Sequence, residues 1–145
     1  MSEVSLEQLP IQELAKIKSS IQNEFESLRN SLEQLLVAQR KFRNCIATAQ
    51  ATVKEENNGK PILVPLTASL YVPGKQIRSD KVLVDIGTGY YTEKTLDETV
   101  KFYQHRIDTL DDNLKQLEKL LNEKSSQIQT LDLILVKKLQ ESRSK

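Results

Sequence analysis

The sequence predicts an α+β fold in which two long helices pair as an antiparallel coiled-coil hairpin around two central β-hairpins. All four glycines and three of the four prolines fall between residues 59 and 89, and the fourth proline is Pro10. Because both residue types destabilise the interior of a helix, each flank can form one uninterrupted helix. Apolar residues recur through both flanks at coiled-coil spacing, whereas the middle contains short runs of strand-forming residues.

The coiled-coil spacing is the strongest of these signals. Twelve positions that alternate by three and four residues from Leu14 to Val53 include ten apolar residues, where the overall composition would give four or five. The same count from Leu96 to Leu135 gives eleven of twelve. This period predicts that each helix buries its apolar stripe against the other. Two separate parallel coiled-coil dimers would use the same stripes and remain an alternative.

Three polar residues interrupt the stripes: Lys18, Gln39 and Lys124. Polar residues at such positions can fix the pairing register at a cost in stability. Alternatively, their aliphatic stems lie over the stripe while their polar ends reach water.

Start and stop signals divide a single domain, residues 1–145, into a first helix at 10–57, a β-hairpin segment at 60–94 and a second helix at 95–142. Pro10 suits the first turn of a helix, and the run from Asn57 to Pro61 ends that helix. Thr95 and Glu98 have the spacing of a capping box, in which each side chain binds the backbone N–H of the other residue.

The middle segment holds up to four short strands in two hairpins, with turns at Pro73-Gly74 and at Gly87-Thr88-Gly89. About 36 residues are too few for an independent core, since even a two-stranded hairpin is marginal alone in water. Its strand edges and apolar side chains need partners. The sequence therefore predicts an oligomer that assembles through this segment.

Composition and charge exclude several classes of partner. The 145 residues include 21 Lys and Arg and 20 Asp and Glu, which gives a net charge of +1. A chain so close to neutral has no overall positive potential to attract nucleic acid or an acidic membrane. No apolar run is long enough to span a bilayer, and the N-terminus lacks a signal-peptide pattern. The one cysteine, Cys45, cannot form an internal disulfide, which favours a reducing compartment. We expect a cytoplasmic protein, with a nuclear pool left open.

The sequence offers few residues suited to catalysis, metal binding or cofactor binding. His105 is the only histidine, and it lies on a polar flank of the second helix, where a solvated residue is far commoner than a general base. No cluster of cysteine or histidine suits a metal, and Gly87-Thr88-Gly89 lacks the third glycine and the following helix of a dinucleotide loop. We expect no enzyme activity, no cofactor and no metal site.

The middle segment contains two distinctive motifs, the first from Val64 to Gly74 (VPLTASLYVPG) and the second from Val82 to Tyr91 (VLVDIGTGYY). Both motifs resemble the α class of prefoldin subunits, and within it the subunit 5 branch. Long coiled-coil helices flank two central hairpins in that class, so the resemblance covers nearly the whole chain. It implies an intersubunit β-barrel in a heterohexamer of two α-class and four β-class subunits.

The resemblance also implies an activity, that of an ATP-independent co-chaperone. Such a complex captures unfolded actin and tubulin and delivers them to the cytosolic group II chaperonin. On this basis nine residues of the β segment are assigned to subunit assembly: Val64, Leu66, Leu70, Val72, Val82, Val84, Ile86, Tyr90 and Tyr91.

Apolar residues gather where the two ends of an antiparallel hairpin would meet. Leu133, Ile134 and Val136 lie off the coiled-coil stripe, on flanks that are charged elsewhere. Exposed apolar groups there suit contact with an unfolded client, although local repacking or a neighbouring arm would also cover them. The predicted client-binding residues are Leu6, Leu9, Ile11, Leu14, Leu133, Ile134, Val136 and Leu139.

A coiled-coil tether or scaffold, which pairs with another long coiled-coil protein, is the alternative function. The middle segment distinguishes the two hypotheses. A tether has no need of two apolar hairpins between its helices, whereas a subunit that assembles through them requires both.

Overall fold

The computed structural model describes residues 8–77 and 80–143, which form two long helices and two β-hairpins. This is the predicted α+β architecture. In chain order the elements are helix α1 (Ile11–Thr52), a one-turn 3-10 helix (Glu55–Asn57), strands β1 (Pro61–Pro65), β2 (Tyr71–Lys75), β3 (Lys81–Gly87) and β4 (Tyr90–Thr95), and helix α2 (Leu96–Arg143).

The apolar stripes are the buried faces of both helices. All 24 stripe positions counted in the sequence are buried or half-buried. Leu14, Leu114 and Leu131 are the most deeply buried leucines among them. The period of 3.5 residues therefore determines which side of each helix packs, as expected for a coiled coil.

The chain forms two compact units. One, the helical unit, combines the part of α1 up to Val37 with the part of α2 from Asp111. The other, the β unit, spans Ala38–Leu110 and contains the end of α1, both hairpins and the start of α2. In the β unit the rings of Phe42 and Tyr103 lie 5.7 Å apart, so the two helices pack directly on each other there.

Two ion pairs hold the antiparallel pairing in the helical unit. Lys18 Nζ lies 2.5 Å from Asp132 Oδ1, and Lys124 Nζ lies 2.5 Å from Glu24 Oε2. Residues early in α1 thus contact residues late in α2, which confirms the predicted antiparallel arrangement. Both lysines are half-buried stripe residues. Their ammonium groups bind acids beside the stripe, which agrees with the interpretation that their stems lie over it. That these lysines fix the pairing register stays a prediction.

The end of α1 differs from the prediction. The helix stops at Thr52, five residues before the predicted end at Asn57. The Asn57 amide reaches back and donates hydrogen bonds of 3.0 Å to the carbonyls of Ala51 and Thr52. These bonds satisfy two of the carbonyls that a helix end leaves unpaired, so the helix can stop before the glycine and proline that follow.

The start of α2 has the predicted capping box. The backbone N–H of Thr95 donates to Glu98 Oε2 at 3.0 Å, and the backbone N–H of Glu98 donates to Thr95 Oγ1 at 3.4 Å. Each side chain satisfies a backbone donor that the first helical turn leaves without a partner. The box therefore fixes the residue at which β4 ends and α2 begins.

Replacing Glu98 by Gln tests the contribution of this box. The hydrogen bond from the Thr95 backbone holds the pKa of Glu98 below its ordinary value of 4.5. Because the pKa is lowered in the folded state, the carboxylate stabilises the fold above pH 4.5 and loses this effect as the pH falls through the lowered pKa. We expect the wild type to melt at a higher temperature than Glu98→Gln at neutral pH. A melting difference that stays constant into the acid range would contradict this assignment.

The four strands form two separate antiparallel pairs, β1 with β2 and β3 with β4. In the first, Val64 lies opposite Val72; in the second, Val84 lies opposite Thr92. The β3–β4 turn has positive φ at Thr88 (52°) and at Gly89 (78°), which is the geometry of a tight hairpin turn. Gly87-Thr88-Gly89 is therefore the predicted turn. The prediction of a turn at Pro73-Gly74 is wrong, because both residues lie within β2, opposite Leu63 and Ile62.

Candidate assembly and client-contact surfaces

The β1–β2 hairpin exposes apolar side chains on both of its faces. Ile62 and Val64 lie on one face with Val72, and Leu63 lies on the other with Tyr71 near it. All five side chains are exposed, and Leu63 reaches 69%. A two-stranded sheet gains little stability by itself, and here no described residue of the chain buries either apolar face. These faces are candidates for contact with another chain.

The loop between β1 and β2 extends the same apolar surface. Leu66 and Leu70 are both exposed, and the backbone N–H of Leu66 donates to the Leu70 carbonyl at 2.8 Å. Thr67 Oγ1 accepts hydrogen bonds from the backbone N–H groups of Ser69 and Leu70, at 3.4 and 3.1 Å. The loop is thus ordered by its own polar groups while it presents two leucines outward.

Polar contacts anchor this hairpin to the end of α1. The Gln76 side chain donates to the Thr52 carbonyl at 3.3 Å, and Lys60 Nζ donates to Asn57 Oδ1 at 2.7 Å. Backbone bonds between Gly59, Lys60 and Gln76 extend the strand pairing toward the helix. No local sequence pattern predicts the contact of Gln76, because its partner lies 24 residues away.

The β3–β4 hairpin has one covered and one open face. Val82 is half-buried and Val84 is only 2% exposed, whereas Leu83 between them is 69% exposed. Successive side chains of a strand point to opposite faces, so the two valines face the helices of the same chain and Leu83 faces outward. Val84 is therefore not open to a partner in this chain, and its assignment to subunit assembly stays a prediction. Its side chain packs inside the β unit.

Alanine substitution at these neighbouring positions separates the two faces. Val84→Ala removes two methyl groups from a buried site, and we expect it to lower the free energy of unfolding by about 2 kcal/mol. Leu83→Ala should change the stability of the isolated chain by less than about 0.5 kcal/mol, because the leucine is largely in water already. Urea unfolding followed by circular dichroism measures both. A larger loss for Leu83→Ala than for Val84→Ala would reverse the assignment of faces.

The remaining predicted assembly residues are exposed. Ile86, Tyr90 and Tyr91 lie around the β3–β4 turn, where a β-bulge between Asp85 and Gly87 shifts the register. The structure thus leaves seven of the nine predicted residues open to a partner, Val82 half-buried and Val84 buried. Four further apolar residues that the prediction omitted are exposed on the same hairpins: Ile62, Leu63, Tyr71 and Leu83.

Near its C-terminal end α2 presents an exposed apolar ridge, which consists of Leu133, Val136 and Leu139. Leu133 is 73% exposed, and the other two are about half exposed. Their spacing of three residues places them side by side along the helix surface. Lys137, which follows Val136, is exposed beside the ridge.

The other predicted client-binding residues are covered to different degrees. Leu9, Ile11 and Ile134 are half-buried, and Lys138 Nζ donates a hydrogen bond to the Leu9 carbonyl. Leu14 is 0% exposed, since it belongs to the coiled-coil stripe, so it is not open to a client in this structure and its role in client contact stays a prediction. Leu6 lies outside the described residues.

The described residues contain neither a cluster of metal-ligand side chains nor a membrane-spanning stretch. Within residues 8–77 and 80–143, no group of three or more His, Cys, Asp or Glu side chains could hold a metal ion. Neither helix has, in its described part, a stretch that is apolar and long enough for a bilayer.

The chain is similar to proteins of one family. The family model described as prefoldin subunit matches residues 21–141. A probable prefoldin subunit 5 from Schizosaccharomyces pombe is 41% identical over 136 residues, which cover 93% of this chain and 88% of that protein. Prefoldin subunit 5 from Homo sapiens is 34% identical over 141 residues, which cover 95% of this chain and 89% of that protein.

The fold is similar to a solved structure as well. A chain in a cryo-EM structure of filamentous PFD from Methanocaldococcus jannaschii matches with a TM-score of 0.69 and 25% identity, over 81% of this chain and 97% of that chain. The names of the sequence relatives agree with the resemblance of the two β-segment motifs to the subunit 5 branch. The family model spans both motifs and most of the two helices, and the chain therefore belongs to the prefoldin subunit family.

Proposed function

We propose that the chain is an α-class subunit of a hexameric co-chaperone that holds non-native proteins without using ATP. One observation carries the proposal: the β1–β2 hairpin exposes apolar side chains on both faces, and the described chain buries neither. Large exposed apolar patches mark interaction sites in soluble proteins. Strands of other α-class and β-class subunits would cover these faces and complete an intersubunit β-barrel.

The proposed clients are unfolded actin and tubulin, which the complex would pass to the cytosolic group II chaperonin in the cytoplasm. The exposed ridge of Leu133, Val136 and Leu139 supports a role in client contact, because unfolded chains expose apolar segments of their own. The function then consists of binding, with no chemical step. Charge-rich helix surfaces around the ridge would keep the subunit itself in solution.

Two measurements test the proposal. The first is native mass spectrometry of the chain alone and mixed with α-class and β-class prefoldin subunits; we expect a heterohexamer only in the mixture. The second is light scattering of denatured actin diluted into buffer, which the assembled complex should suppress without ATP. A chain that remains monomeric with these subunits and leaves actin aggregation unchanged would contradict the proposal.

The tether hypothesis places the partner-binding surface on the helices instead of the hairpins. A tether would pair through the apolar stripes of its helices, yet the structure buries or half-buries every counted stripe position within the chain itself. The exposed apolar surface lies instead on the hairpins, where a tether has no use for it. We therefore favour the co-chaperone subunit.

A further inference from the structure

Asn58 lies in the short connection between α1 and β1, and it is the only asparagine of the chain that a glycine follows. Asparagine is a chemically labile residue, because the backbone nitrogen of the next residue can attack its side-chain amide. Glycine favours this attack most, since it has no Cβ to obstruct the approach of its nitrogen. The Asn58–Gly59 pair therefore meets the chemical requirements of a deamidation site.

The surroundings leave the Asn58 side chain open to reaction. Asn58 is exposed, and its side chain has no hydrogen-bond partner among the described residues. Gly59 is exposed as well, and a Cβ at this position would have no atom within 4 Å. The preceding Asn57 differs, because its amide nitrogen donates to the Thr52 carbonyl and its amide oxygen accepts from Lys60 Nζ. The Asn57 side chain is thus held in place, whereas that of Asn58 can turn.

One backbone hydrogen bond keeps the attacking nitrogen away from the Asn58 side chain. The Gly59 N–H donates to the Gln76 carbonyl at 2.6 Å, and a ψ of 130° at Asn58 directs this N–H toward the strand pairing. The Gln76 side chain in turn donates to the Thr52 carbonyl at 3.3 Å. These contacts of Gly59 and Gln76 form the hairpin joint. Ring closure needs the Gly59 nitrogen in contact with the Asn58 side-chain carbon, so the joint must open first.

We propose that Asn58 is a deamidation site whose rate is set by how often the hairpin joint opens. The Gly59 nitrogen attacks Asn58 Cγ, and the new C–N bond closes a five-membered succinimide ring. The side-chain nitrogen leaves as ammonia, together with the proton of the Gly59 N–H. Water, the only co-reactant, then adds to one of the two ring carbonyls. Addition at Cγ breaks the new bond and gives aspartate, whereas addition at the backbone carbonyl breaks the original peptide bond and gives isoaspartate.

Either product alters the joint that anchors the β1–β2 hairpin to α1. Both place a carboxylate next to Glu55 and Glu56, which are two acids of the preceding 3-10 helix. Isoaspartate also adds one carbon to the main chain, which shifts the Gly59 N–H by up to about 1.5 Å relative to the Gln76 carbonyl. This shift weakens the hydrogen bond between them. Deamidation therefore loosens the β1–β2 hairpin, and its effect on assembly rests on the proposed function.

Incubation of the full chain in mildly alkaline buffer at body temperature, followed by peptide mass mapping, tests the site. We expect a mass gain of about 1 Da at Asn58, at a rate at least about tenfold above that of any other asparagine. The rate should rise with pH, because base removes the proton of the attacking nitrogen. Asn30, which precedes Ser31 within α1, is the internal reference. A mass gain spread evenly over the asparagines would overturn the assignment of the site.

Gln76→Ala tests the control by the hairpin joint, because it removes the side-chain bond to Thr52 and keeps the backbone carbonyl of residue 76. We expect deamidation of Asn58 to become roughly threefold faster or more, since the loss of one hydrogen bond lets the joint open more often. Ser69→Ala, an exposed change in the loop at the far end of the same hairpin, should leave the rate unchanged. Equal rates in the two variants would overturn the control by the joint.

Hydrogen exchange of the isolated chain measures the loosening directly. Residues 60–76 should exchange at least about threefold faster after deamidation, and the deamidated chain should assemble more weakly with α-class and β-class subunits than the fresh chain. Asn58→Ser, which cannot deamidate, should behave the same before and after incubation. Unchanged exchange in a chain with deamidated Asn58 would overturn the effect on the hairpin. A fresh chain that never assembles would contradict the proposed function alone, because the modification and the exchange are both measured on the isolated chain.

Discussion

Replacing Leu63 and Leu66 by lysine is expected to leave the isolated chain folded and to abolish its assembly with other prefoldin subunits. Both leucines are largely exposed on the β1–β2 hairpin and its loop, so the isolated chain loses little packing. In the assembly each substitution would remove about 2 kcal/mol of binding free energy that comes from burial of the leucine side chain. Each lysine would also place a charge in a dry interface. Together the two substitutions should weaken assembly by roughly a thousandfold or more.

Native mass spectrometry and analytical ultracentrifugation of the mixed subunits measure the effect. Circular dichroism of the isolated variant checks that both helices remain. Leu120→Lys is the matched control, since this leucine is also exposed but lies on α2 in the helical unit. A hexamer that forms normally with both leucines replaced would show that the β1–β2 hairpin does not carry assembly.

The helical part of the fold follows from local sequence patterns. A stripe with a period of 3.5 residues can be buried on only one side of a helix, so all 24 stripe positions could be identified in advance. The capping box was equally predictable, because Thr95 and Glu98 are three residues apart and satisfy each other's backbone. Signals of this kind depend only on residues within a few turns of one another.

The differences from the prediction arise where a single side-chain contact or the docking of a hairpin decides the outcome. Helix α1 ends at Thr52 because the Asn57 side chain folds back onto its last carbonyls, and the sequence pattern alone left the helix free to continue. For β3, the resemblance assigns Val82 and Val84 to subunit assembly, and it contains no information on which face of the strand meets the helices of the same chain. The face that meets the helices is fixed by how the hairpin docks, and the sequence holds no local signal for that choice.

Leu14 illustrates a conflict between two correct observations. It belongs to the apolar stripe, and it also lies in the apolar cluster near the chain ends. The Leu14 side chain can either pack between the helices or stay exposed for a client. It packs between the helices, because this removes the whole side chain from water. The exposed residues of the cluster, Leu133, Val136 and Leu139, all lie outside the counted stripe, whereas Ile134 also lies off the stripe and is half-buried.

The exposed ridge on α2 leads to the second large expected effect. Replacing Leu133, Val136 and Leu139 by serine should leave assembly intact and sharply reduce the capacity of the complex to suppress aggregation of denatured actin. Each side chain is about half exposed or more and contributes little to the packing of the helical unit. If the burial of each side chain against a client contributes about 1 kcal/mol to the binding free energy, the triple variant should bind the client roughly a hundredfold more weakly.

A control must show that the loss of suppression depends on where the exposed apolar residues lie and not on how much apolar area is removed. Leu36, Val37 and Leu120 provide the comparison, because they are exposed apolar residues of the same helical unit that lie outside the ridge. Serine at these three positions removes a similar set of side chains and should leave suppression near the wild-type level. Equal losses in the two triple variants would mean that clients bind apolar surface wherever it occurs on the helices. A loss confined to the ridge variant would assign client contact to the end of α2, where the off-stripe leucines and valine have no structural role to explain them.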